Sequence, residues 1–219
     1  MTVAAIVFDL DGVLIDSEGV WNAAREEVAE QSGGRWPSDA PRAMMGMSST
    51  EWSAYMHDEL GVALAPQEIS QAVVARLMDS YREQLPLIPG AREAVTRCAQ
   101  EWPLGLASSA NRPIIELVLD RAGLADCFSV TVSSEEVPRG KPAPDVYLEA
   151  ARRLRAKPER CAAVEDSSNG LRSAAAAGML VFAVPNQEFS PEEDALRLAD
   201  DVVESITQLT PERIRGQDR

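Results

Sequence analysis

The sequence predicts an α/β fold: a Rossmann-like parallel sheet with helices on both faces, interrupted by an all-helical insert. Three observations predict it. Short β-branched runs alternate with helical patterns over most of the chain. Each run meets a polar cluster, and in parallel sheets the carboxyl ends of the strands are where ligands bind. Between residues 16 and 85 the alternation stops, and helical patterning remains with no clear strand.

The elements follow in order. Residues 3–8 form a β-branched and aromatic run that stops at Asp9-Leu10-Asp11-Gly12, a strand meeting a turn. Helical patterns over 21–31, 50–60 and 67–84 fill the insert. Pro86-Leu87-Ile88-Pro89-Gly90 reads as the linker back to the sheet. Strands are then expected at 104–107, 130–132, 162–164 and 180–184, with helices at 91–100, 112–122, 144–155 and 168–177. The tail from Thr210 is polar and is expected to fray. This divides the chain into a core of residues 1–15 and 86–219 and a helical domain of residues 16–85, with hinges expected at 16–18 and 86–90.

Composition narrows the chemistry. The chain has 219 residues, 45% hydrophobic and 26% charged, which suits a soluble globular protein able to bury a full core without disulfides. Its formal charge of -14 repels a phosphate polyanion, so no nucleic-acid partner is expected, although a local pocket can still hold a small anion. No apolar run approaches the roughly 20 residues that span a bilayer. The chain enters its first strand with no basic leader, and its three cysteines lack metal-ligand spacing, so free thiols in the cytoplasm are expected. The single histidine, His57, sits on a helical pattern in mixed surroundings and reads as an ordinary surface or half-buried residue. With one histidine, a His-rich zinc site or a Ser-His-Asp triad has little to build on.

Four clusters can carry chemistry, and each has a plainer alternative. Asp9 and Asp11 can act as nucleophile and general acid/base on a phosphoryl group, or as a turn pair. Ser108 and Ser109 precede a helix, where hydroxyls and N–H groups hold phosphoryl oxygens or simply cap it. Lys141, between Gly140 and Pro142, can neutralise Asp9 and a phosphoryl group, or stand solvated in its loop. Glu165 and Asp166 suit a hard, oxygen-seeking cation, or a helix cap. The expected topology brings all four to one sheet edge. Two like charges 4 Å apart repel by about 4 kcal/mol at an effective dielectric near 20, so packed carboxylates shift their pKa values or recruit a cation. Magnesium fits such a site best, since it takes few carboxylates and bridges to phosphate.

With these residues placed, the chain resembles the haloacid dehalogenase-like (HAD) hydrolase superfamily, in the branch of β-phosphoglucomutases and phosphoglycolate-type phosphatases. Phe8-Asp9-Leu10-Asp11-Gly12-Val13 matches its first motif and Ala107-Ser108-Ser109 its second. Gly140-Lys141-Pro142-Ala143-Pro144-Asp145 matches the third and Glu165-Asp166-Ser167-Ser168-Asn169-Gly170 the fourth. The resemblance implies Asp9 as nucleophile and metal ligand, and Asp11 as acid/base with its backbone carbonyl on Mg2+. It implies Ser108 and Ser109 on the phosphoryl group, Lys141 bridging Asp9 to it, and Glu165 and Asp166 at the metal. It makes the insert a mobile cap that excludes water. Asp11 favours phosphorus over carbon–halogen chemistry, since dehalogenase members lack it. Asn111, Gly46 and Ser49 are the further candidate substrate contacts. The mutases carry a histidine where this chain has Trp21 and a cap arginine near the place of Ser49, which turns the expectation from a mutase to hydrolysis. Met44, Met45, Met47, Trp52 and Tyr55 either line an apolar pocket or pack as helix core. The expected function is a magnesium-dependent phosphatase of a small phosphorylated metabolite, acting as a monomer or weak dimer. A sugar-phosphate mutase and a non-catalytic binding module are the alternatives.

Overall fold

β-Branched and small residues build the strands, and glycine, proline and serine punctuate them. The structure is a computed structural model that describes residues 2–45, 47–186 and 190–217. The strands are β1 (Ala5–Phe8), β2 (Leu104–Ser108), β3 (Phe128–Ser133), β4 (Cys161–Glu165), β5 (Leu180–Ala183) and β6 (Asp201–Val202). Among the described residues they form one parallel sheet, in the order β3-β2-β1-β4-β5-β6. Strand β1 lies at the centre, with Val7 opposite Gly105 on one side and Ala163 on the other. The order turns around between β1 and β4, so the crevice of such a sheet opens where those strands end.

Alternation along β1 divides the core into two layers. Ala5 and Val7 pack with α7 (Asp145–Arg153) and α8 (Ser168–Ala176), through Tyr147, Ala150, Leu171 and Ala174. Ile6 and Phe8 face the other way, toward α5 (Ala91–Ala99) and α6 (Arg112–Ala122). That second layer continues without a break into the insert, to Trp21, Trp52, Ile69 and Leu77. Each fully buried side chain of this size contributes about 1.5–3 kcal/mol.

The insert holds α1 (Glu18–Gln31), α2 (Ala40–Met44), α3 (Ser49–Asp58) and α4 (Pro66–Glu83), and no strand among its described residues. Helix α4 begins with Pro66 at its first position, where the missing N–H costs nothing. Ser48 caps α3 reciprocally with Glu51. The two chain segments that join insert and sheet run side by side: Asp16 N–H donates to Pro86 O at 2.8 Å and Ile88 N–H to Leu14 O at 2.9 Å. His57 is exposed on α3, with Nδ1 2.9 Å from Leu64 O.

Two expectations need correction. After a short α9 (Glu193–Leu196), the C-terminal tail carries a helix, α10 (Pro211–Gly216). Thr210 caps it, Ile214 is fully buried, and Arg213 grips Asp201 at 2.8 Å. The polar composition hid one apolar anchor and one ion pair. Strand β6 has no apolar run to announce it: it is two residues long and lies at the edge, with Val202 exposed.

Candidate active site

Strand β1 delivers Asp9 to the carboxyl edge of the sheet, where its N–H donates to Val164 O of β4 at 2.9 Å. The residue is 5% exposed, and its Oδ1 accepts from Lys141 Nζ at 2.7 Å. Lys141 also donates to Glu165 Oε1 at 2.6 Å. Burial alone would lower the Lys141 ammonium, but Asp9 and Glu165 together hold it above its ordinary value. The lysine is therefore a fixed cation set between two carboxylates, not a solvated loop residue.

Glu165 ends β4 with no exposed surface, so each of its oxygens must find donors inside the protein. Oε1 accepts from Lys141 and from Tyr147 OH at 2.8 Å. Oε2 accepts from the N–H groups of Asp166 and Ser167 at 3.0 and 3.3 Å and from Ser167 Oγ at 3.1 Å. Glycine at 170 is required for this: a Cβ there would lie 1.9 Å from the carboxyl group. Tyr147 was not found by sequence reasoning, although its place on the buried face of α7, six residues past Lys141, is a periodic signal.

Asp166 packs beneath Gly12, whose φ of +76° and lack of Cβ let the carboxylate approach; a Cβ would fall 1.8 Å from Oδ2. Among the described residues, ligand oxygens of Asp9, Glu165 and Asp166 lie within 4.8 Å of one another. Burial, and then the neighbouring carboxylates, push the Asp166 carboxyl well above its ordinary range. Burial likewise pushes Asp9 up to about 8, against the pull of Lys141. One ammonium is too little positive charge for this cluster. Its donors are all oxygens and its surplus is negative, which is the fit a hard divalent cation requires.

Asp11 stands apart from that cluster. Its Oδ1 accepts from Ser17 Oγ at 2.6 Å and from the Trp21 indole N–H at 3.0 Å. Ser17 opens α1 without capping it and turns its hydroxyl to Asp11 instead. Trp21 therefore gives Asp11 a partner from the insert, an indole donor.

The remaining candidates separate. Ser109 and Ala110 line the cavity above Asp9, together with Asp11, Lys141 and Asp166. Ser108 is wholly buried behind them, its Oγ accepting from Ala110 N–H at 3.0 Å. Asn111 and Ser49 are not among the lining residues: both side chains donate to Glu135 Oε1, at 2.7 and 3.1 Å, and so tie α3 to the sheet edge. Gly46 lies outside the described residues. Of the apolar stripe, Met44, Met45, Met47 and Trp52 line the cavity, and Met44 and Trp52 are core residues as well. Tyr55 only packs against the core.

Helix α1 also lines the cavity, through Glu18, Trp21 and Arg25. Arg25 is 6% exposed, with its guanidinium carbon 4.9 and 5.1 Å from the ring centres of Trp21 and Trp52. Burial lowers it to about 10, so it remains a cation at neutral pH. Sequence reasoning missed Arg25. The signal was its spacing, four residues after Trp21 on the buried face of α1.

Residues 3–178 match the family described as haloacid dehalogenase-like hydrolase. Hexitol phosphatase B of Escherichia coli (strain K12) is 36% identical over 98% of this chain and 97% of its own length. Fructose-1-phosphate phosphatase YqaB of Escherichia coli (strain K12) is 33% identical over 80% of this chain and 93% of its own length. The crystal structure of CbbY from Rhodobacter sphaeroides in complex with phosphate superposes with a TM-score of 0.87 at 26% identity, covering 98% of this chain and 100% of that one.

Proposed function

The chain belongs to the haloacid dehalogenase-like hydrolases and is a phosphoric monoester hydrolase, and we propose that it cleaves a small sugar or polyol phosphate through an aspartyl-phosphate on Asp9 with the help of Mg2+. One observation carries the proposal: a buried Asp9 held at 2.7 Å by Lys141 on the floor of a cavity that Asp11 and Asp166 also line.

In the first step an Asp9 oxygen bonds to phosphorus and the bond to the leaving oxygen breaks. Asp11 gives that oxygen its proton, so the organic product departs as an alcohol. Water then attacks phosphorus, Asp11 takes the water proton, and the Asp9–phosphorus bond breaks to release phosphate. Ser17 and Trp21 hold Asp11 in place for both transfers. Ser109, which lines the cavity, is read as a contact for the phosphoryl oxygens, and the Ser108 hydroxyl proton, which its bond to Ala110 does not use, would be available to the same group. Lys141 neutralises charge on Asp9 and on the transferring group, and Glu165 acts through Lys141 as its positioning residue.

Asp9 and Asp166, with Glu165 behind them and the Asp11 backbone carbonyl, are the residues that would hold Mg2+. Bound there, the ion supplies positive charge against the phosphoryl oxygens. Residues 16–85 are read as the cap that excludes water, and residues 1–15 with 86–219 as the catalytic core.

The test is phosphate release from a panel of sugar and polyol phosphates by wild type and Asp9→Asn, with and without magnesium. The expected result is metal-dependent release that falls at least about a thousandfold in Asp9→Asn, the loss expected when a nucleophile is removed. Release that persists in Asp9→Asn would sink the mechanism.

A further inference from the structure

We propose that Arg25 and Glu18 on α1 form a subsite that reads hydroxyl groups on the organic part of the substrate, so that polyhydroxylated monophosphates are preferred over bisphosphates and over alkyl phosphates. The inference rests on the phosphatase reading above and specifies its substrate.

Glu18, Trp21 and Arg25 stand at i, i+3 and i+7 of one helix, so they share a face. All three residues line the same cavity as Asp9 and Asp11, with Trp21 reaching Asp11. A guanidinium this deeply buried is costly unless it is paired. Here the guanidinium carbon lies 4.9 and 5.1 Å from two indole ring centres, yet its Nε has no hydrogen-bond partner among the described residues. Across the same face, Glu18 Oε2 is buried and also has no partner among them. Two residues that line the cavity thus each keep one buried polar atom, a donor on Arg25 and an acceptor on Glu18, without a partner among the described residues.

A hydroxyl is the group that answers both, because it donates and accepts at once. A second phosphate has acceptors only, so it would satisfy Arg25 while facing Glu18 and Asp11, the two carboxylates that act on Arg25. Alkyl phosphates would leave both groups unmet. The methionines and Trp52 around the subsite suit the C–H surface of a polyol.

The experiment compares kcat/KM of wild type, Arg25→Gln and Glu18→Gln on a hexitol 6-phosphate, propyl phosphate and a sugar bisphosphate. Calorimetry measures hexitol 6-phosphate binding to Asp9→Asn with and without each second change, and thermal melting checks that every variant folds. Glu18→Gln keeps the shape of the side chain and serves if Arg25→Gln does not fold. The expected result is that the hexitol-over-propyl ratio falls about ten- to hundredfold in each variant, mostly through KM, the loss expected for a hydrogen bond to a charged group. The calorimetric Kd is expected to weaken in parallel. An unchanged ratio in folded variants would overturn the subsite, as would a wild-type preference for the bisphosphate that Arg25→Gln abolishes. If wild type releases phosphate from none of the three, the phosphatase reading fails. Binding then still decides the subsite: a Kd weakened by Arg25→Gln or Glu18→Gln supports it, and an unmoved Kd overturns it.

Discussion

Lys141 shows how one side chain can hold a site in two senses. It is buried between Asp9 and Glu165 and bonds both. Replacing a buried ion pair wholesale is often neutral, but removing one partner leaves the other charge stranded, at about 3–5 kcal/mol. Lys141→Met is therefore expected to lose about that much stability in metal-free buffer, read by urea unfolding, as well as activity. A variant as stable as wild type would mean that Asp9 and Glu165 do not depend on the ammonium. Asp11 is arranged differently. Its partners are neutral donors, Ser17 and Trp21, so it is oriented without being locked to a cation. The two aspartates of one motif are thus prepared for different work by what touches them.

At the scale of elements, the junction of β4 and α8 positions most of the acidic groups. Ser167 caps α8 by accepting from Gly170 N–H at 3.2 Å and donates to Glu165 with the same hydroxyl. Gly170 sits where any side chain would strike Glu165. Gly170→Ala is expected to cost about 1–3 kcal/mol by overpacking, despite alanine's better helix propensity. It should also lower kcat by displacing Glu165 and thus Lys141. Chemical denaturation beside steady-state kinetics checks both, and a stabilised, fully active variant would refute the account. The insert touches this edge from above. Ser49 at the start of α3 bonds Glu135, and the paired segments at Asp16–Pro86 and Leu14–Ile88 are where the proposed cap would turn.

The whole molecule carries a charge of -14, and among the described residues Asp9, Glu165 and Asp166 bring three carboxylates together inside it. That has a consequence for pH. In the fold Asp9 keeps its proton up to about 8, against 3.8 without the fold, so between those limits the folded state binds more protons. Stability of the metal-free protein therefore falls as pH rises through that window, by about 1.4 kcal/mol per pH unit for each proton at the steepest point. Magnesium held by this cluster, as proposed, would compete with the same protons. Thermal unfolding in chelator and in magnesium, at about pH 5 and about pH 8, should show a larger gain in Tm from the metal at the higher pH. An equal gain at both would mean that Asp9 does not hold the proton assigned to it.

The sequence by itself determined the α/β class, the place of the helical insert and the four clusters at the sheet edge. Strand and helix periods are local signals, and a parallel sheet brings strand ends together whatever the details of packing. It also supplied Asp9, Asp11, Lys141 and Asp166 as residues of one site, because each stands next to a strand end or turn that the local pattern marks. Contacts between distant elements were left to the tertiary structure. Only there does Glu165 turn inward to five donors, Ser49 and Asn111 turn to Glu135, and Trp21 reach Asp11. Helix α10 and strand β6 belong to the same class, since one buried isoleucine and one ion pair across the fold hold them rather than a run of apolar residues. The α1 lining of the cavity was decided there too. A helical period can put Arg25 on a buried face, but that its guanidinium ends between two indoles with a donor to spare depends on how α1 meets α3.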